Sequence, residues 1–144
     1  MALLRQAAQL TGIPAMANSA PTRIAIECVA GFPDDQLESG TDIIRPGGRG
    51  MAIAMVELLR GAGVTASEPS LDFEHGWEFV AERDGRKFWI LVTDLEKTKL
   101  IQTKDLSSLL IRLFSGQAAY AAFLELLYRA LSNDARFRSV EWAA

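Results

Sequence analysis

Apolar and polar positions alternate on both sides of the dipeptide Asp84-Gly85, from Trp77 to Arg83 and from Arg86 to Thr93. A period of two places successive side chains on opposite faces of a strand. Asp-Gly suits a two-residue type I′ turn, in which both central residues take positive φ. A loop of that length fixes the register. Arg83 then faces Arg86, Glu82 faces Lys87, Ala81 faces Phe88, Val80 faces Trp89, Phe79 faces Ile90, Glu78 faces Leu91 and Trp77 faces Val92. One face of this hairpin carries Trp77, Phe79, Ala81, Phe88, Ile90 and Val92, and is expected to face the core. The other carries Glu78, Val80, Glu82, Lys87, Trp89 and Leu91. Its charged end points to solvent, whereas Val80, Trp89 and Leu91 form an apolar spot.

The same reasoning gives the other elements. Residues 22–30 alternate, with Ile24, Ile26 and Cys28 on one face of a strand. Residues 31–50 are polar and rich in Gly and Pro; so long a connection is functional, mobile, or contains a short strand at Asp42–Arg45. Met51 to Arg60 reads as a helix buried on more than one side, stopped at Gly61 and Gly63. Val64 to Glu68 reads as a short strand ended by Pro69, and residues 97–103 as another. Asp105 is the expected N-cap of a helix with the stripe Leu106, Leu109, Leu110, Leu113 and Phe114, broken at Gly116. Tyr120, Phe123, Leu124, Leu127 and Leu131 repeat that spacing up to Asn133-Asp134, and residues 137–142 suit a final edge strand. A run of strands with helices before and after it points to α+β: a two-layer fold, with a mainly antiparallel sheet and helices packed on one face.

Length and composition narrow the class. The chain has 144 residues, 49% hydrophobic and 23% charged. That suits one soluble domain and excludes disordered, collagen-like and disulfide-scaffold chains. Residues 21–144 are assigned to a single domain. Residues 1–20 have no defined place, and Met16 offers an alternative start. Arg5, Gln6 and Gln9 interrupt the first apolar residues, so no signal-peptide core forms. No apolar run is long enough to span a bilayer. The net charge of −3 and the scattered basic residues make nucleic acid an unexpected partner. Cys28 is the only cysteine, which excludes an internal disulfide. The cytoplasm is the expected location, without a membrane and without a cofactor.

Candidate chemistry is sparse. Gly47, Gly48, Arg49 and Gly50 precede a helix, where free N–H groups can cradle an anion, but the spacing matches no phosphate-binding motif. His75 is the only histidine; Asp72 or Glu74 can orient it as a general base. Without a second histidine, a histidine metal site has no partner, and no metal site is expected. Asp34, Asp35, Glu38 and Asp42 gather acids without the spacing of a calcium loop. Cys28 reads as inert packing.

These features favour a non-enzymatic protein-interaction module, of chaperone-like, inhibitor or immunity type. Its expected interface is Val80, Trp89 and Leu91, because tryptophan is enriched at the centres of interfaces. The partner is another protein or a second copy. The alternative is a small-anion-binding protein or hydrolase-type enzyme, which requires loop 46–50 and His75 to converge.

Overall fold

The computed structural model describes residues 23–143, except 34, 41, 73, 74, 109, 112 and 114–116, and except the side chains of 39 and 42–44. The readings of residues 1–20, Asp34, Glu74, Leu109, Phe114 and Gly116 lie outside the described residues. In chain order the elements are β1 (Arg23–Ala30), β2 (Leu37–Ser39), β3 (Asp42–Arg45), α1 (Arg49–Gly61), β4 (Thr65–Ala66), β5 (Ser70–Asp72), β6 (Gly76–Arg83), β7 (Arg86–Leu95), β8 (Thr98–Asp105), α2 (Ala118–Ser132) and β9 (Phe137–Trp142).

The main sheet runs β4-β6-β7-β8-β1-β9, with β5 also paired to β6, and every pairing in it is antiparallel. β2 and β3 form a separate ribbon inside the 31–50 connection. With α1 and α2 among the described residues, the molecule is α+β. Among the described residues no helix is long and apolar enough to cross a membrane.

The β6–β7 hairpin has the register that the Asp-Gly turn requires, from Arg83 opposite Arg86 to Trp77 opposite Val92. Asp84 and Gly85 take φ of 52° and 75°. The sheet face carrying Ile24, Ile26, Phe79, Phe88, Ile90, Val92 and Ile101 joins the buried stripes of α1 and α2 in one core. Phe88 stacks on Tyr120 and Phe123 of α2, with ring centroids 5.7 and 4.4 Å apart. Removing so much aromatic surface from water is a main stabilising contribution.

Three local readings are corrected. The stretch after Gly63 yields only two residues of strand in β4, and pairing resumes as β5 beyond Pro69. Around this break the Ser67 N–H donates to Val80 O, and the Val80 N–H donates to Ser67 Oγ. Asp105 is not a helix cap. It ends β8 with its side chain buried, accepts the N–H and hydroxyl of Ser107, and pairs with Arg86. Ser108 Oγ instead accepts the Ile111 N–H at 3.3 Å. Finally, the described members of the stripe after Asp105 do not join the core: Leu106, Leu110 and Leu113 are 43%, 63% and 72% exposed.

Two of the outer strands, β4 and β9, have a backbone carbonyl occupied by a helix side chain. Arg60 of α1 donates twice to Ala66 O in β4, at 3.1 and 2.8 Å. Tyr128 of α2 donates to Val140 O in β9 at 2.8 Å. β9 is also bulged against β1 near Ser139, whose φ is 52°. Bulges and occupied carbonyls blunt an edge against strand addition.

Candidate functional site

The glycine loop is built against the rim of the core. The Trp77 indole N–H donates to Pro46 O at 3.0 Å, and the Arg49 guanidinium lies 5.7 Å from the Trp77 ring centroid. Gly48 has φ of 104°, which a side chain would resist. A Cβ on Gly47 would lie 2.7 Å from Asp94 Oδ2. Gly48 is thus required for turning, while at Gly47 an added Cβ would meet the end of the Asp94 side chain.

The amides at the start of α1 already hold an anion, supplied by the chain. Asp35 Oδ1 accepts the Gly48 N–H and Asp35 Oδ2 accepts the Gly50 N–H, each at 2.7 Å. A carboxylate is favourable at a helix N-terminus, where N–H groups lack intrahelical partners. Beside it, Lys99 Nζ pairs with Asp94 Oδ1 at 2.5 Å. The recess between Asp35, Asp94 and Lys99 has about 10 Å³ of room, about that of one water. Of the sequence's acidic group, Asp35 therefore serves as a structural cap. Among the described residues no group of three or more His, Cys, Asp or Glu side chains is placed to hold a metal ion.

His75 lies at the same end of the sheet. Its Nδ1 is 3.2 Å from Asp72 Oδ1, with the imidazole well exposed. Its carbonyl accepts the Thr93 hydroxyl at 2.7 Å. Asp72 is thus the acid that orients it among the described residues. Gly76 beside it has φ of 136°, and a Cβ there would fall 2.1 Å from Val92 O. The base–acid pair is present, but it stands in solvent. Cys28 is buried on the core face, and burial pushes its thiol up to about 11, so at neutral pH it is not a thiolate.

Val80, Trp89 and Leu91 share the face of the sheet opposite the core. Val80 sits across from Trp89, and Leu91 across from Glu78. Trp89 Nε1–H donates diagonally to Glu78 Oε2 at 2.9 Å, which draws the indole towards the Leu91 row. Leu91 is only 3% exposed, while Val80 and Trp89 are half-buried. Little of Leu91 is left for a partner to touch.

A run of exposed apolar side chains begins at the hairpin-turn end of the sheet. The Leu106 N–H donates to Lys87 O at 3.0 Å, so the chain leaves β8 beside the start of β7. Leu106, Leu110, Ile111 and Leu113 follow, between 43% and 72% exposed. A hydrogen-bonded polar cluster anchors the base of this segment. Arg86 donates to Ser107 Oγ at 2.5 Å and to Asp105 Oδ2 at 3.2 Å, and Ser107 Oγ donates to Asp105 Oδ1 at 2.6 Å. The sequence signals this segment through its helical spacing, but spacing alone cannot say whether a stripe is covered. Compared with known proteins, the chain matches no family model, no curated protein and no solved structure.

Proposed function

We propose that this protein is a protein-binding module, of chaperone-like, inhibitor or immunity type, and that it engages its partner through the segment Leu106–Leu113. One observation carries the reading: four large aliphatic side chains exposed together on a segment anchored by a buried ion pair. Soluble proteins rarely leave contiguous apolar patches of more than a few hundred Å² uncovered, and such patches mark interaction sites. Val80 and Trp89 extend the surface along the helix-free face of a two-layer fold, with Leu91 as its buried floor. The setting this reading implies is the cytoplasm.

The anion-binding or hydrolase alternative draws less support. Two of its amide donors, Gly48 and Gly50, are engaged by Asp35, and its histidine pairs with Asp72 in solvent. The test is parallel affinity capture from the source cell's lysate with wild type, Leu110→Asp and Trp89→Asp, each checked for folding by circular dichroism. A near-stoichiometric partner held by wild type and lost from folded Leu110→Asp is the expected result. Identical captures by wild type and Leu110→Asp would overturn the reading.

A further inference from the structure

The surroundings of Leu106 narrow the chemistry of the partner. Arg23 of β1 lies directly across from Lys104 of β8, and Lys104 lies across from Trp89 of β7. Lys87 is two residues before Trp89 on the same face, and its carbonyl accepts the Leu106 N–H. Three cations therefore gather on the helix-free face at the turn end, beside Leu106, where the apolar segment begins. None forms an ion pair with a described residue; Glu82, opposite Lys87, is not within ion-pair distance. Like charges directly opposed across strands are destabilising. The Arg23/Lys104 pair is such an arrangement in a chain whose net charge is −3. A local cost of this kind is expected where a surface is shaped for a ligand.

The form of the partner follows from the rest of the molecule. With a backbone carbonyl of β4 and of β9 occupied by Arg60 and Tyr128, strand addition is disfavoured along those two strands. A second copy docking through the same patch would bring cations against cations. An anionic membrane is disfavoured by the net negative charge, and the cations among the described residues of the patch number three where lipid-binding clusters use about 4–8.

Resting on the docking surface proposed above, we infer that its ligand is an acidic amphipathic helix of a partner protein. Its apolar stripe packs on Leu106, Leu110, Ile111 and Leu113, and its carboxylates meet Arg23, Lys87 and Lys104. Helix-in-groove recognition reads anchors at i, i+3, i+4 and i+7 and needs no sheet edge.

The test selects from a displayed library of random 16-residue peptides against the full-length chain. The account expects enriched peptides to be net negative, with aliphatic residues at helical spacing. Their binding should weaken about tenfold in the Arg23→Glu, Lys104→Glu double variant and fall with added salt. It should vanish in Leu110→Asp. Enriched peptides that are neutral or basic, or that bind the double variant unchanged while failing on Leu110→Asp, would overturn the acidic partner and leave the docking surface standing. No enrichment, or enrichment indifferent to Leu110→Asp, would overturn both. Co-sedimentation of wild type with vesicles containing 30% phosphatidylserine, lost in Leu110→Asp, would replace the protein partner with a membrane.

Discussion

Single residues carry more of the architecture than their exposure suggests. Asp105 and Arg86 form a buried pair at the foot of the exposed segment, closed by Ser107. Removing one partner of such a pair leaves a buried charge uncompensated. Asp105→Ala is therefore expected to lower stability by about 3–5 kcal/mol in urea unfolding. Thr103 donates to Ile24 O at 2.6 Å and shares a hydrogen bond with the buried Tyr120 hydroxyl at 2.7 Å. Burial pushes Tyr120 up to about 12, so it stays protonated throughout the neutral range. At the surface, hydrogen bonds from Arg136 hold the Asp134 carboxyl down at about 2. A depressed carboxyl contributes stability above its unfolded value and loses it as pH falls, here from about 4 towards 2. Carboxyl-detected NMR titration should place Asp134 near 2 in wild type and closer to the ordinary carboxylate range in Arg136→Ala.

At the scale of elements, glycines separate into those that fit space and those that only turn the chain. Gly76 at the start of β6 takes φ of 136°, and a Cβ would lie 2.1 Å from Val92 O. Gly76→Ala is expected to destabilise by about 3 kcal/mol or more. Gly61 ends α1 with nothing within 4 Å of an added Cβ and no positive φ. Gly61→Ala should be neutral or stabilising by up to about 1 kcal/mol in the same unfolding assay. Element by element, the hairpin was the most legible part of the sequence, because the Asp84-Gly85 turn fixes register locally. β1, β9 and the stripe of α2 were legible for the same reason: alternation or helical spacing over a single segment. β5 was not, because it pairs only after the chain bulges past Pro69. The role of Asp105 was hidden too. Its partner Arg86 is 19 residues away in sequence, and a residue expected to cap locally was taken up by a tertiary ion pair.

Across the whole molecule, the two candidate functional regions lie at opposite ends of the sheet. Loop 46–50 and His75 sit where β6 begins and β7 ends, beside Trp77, Thr93 and Asp94. Leu106–Leu113 emerges at the turn end, beside Lys87. The glycines and the histidine could be picked out from sequence, but not that Asp35, 13 residues before Gly48, would already fill the amide site. Because the two ends are separate, one experiment distinguishes them. Hydrogen exchange would be followed by mass spectrometry on the full chain, alone and saturated with the captured partner or a selected peptide. Slowed exchange is expected over residues 104–113, with residues 46–50 and 72–76 unchanged. Protection confined to residues 46–50 and 72–76 would contradict it and move the function to the other end of the sheet.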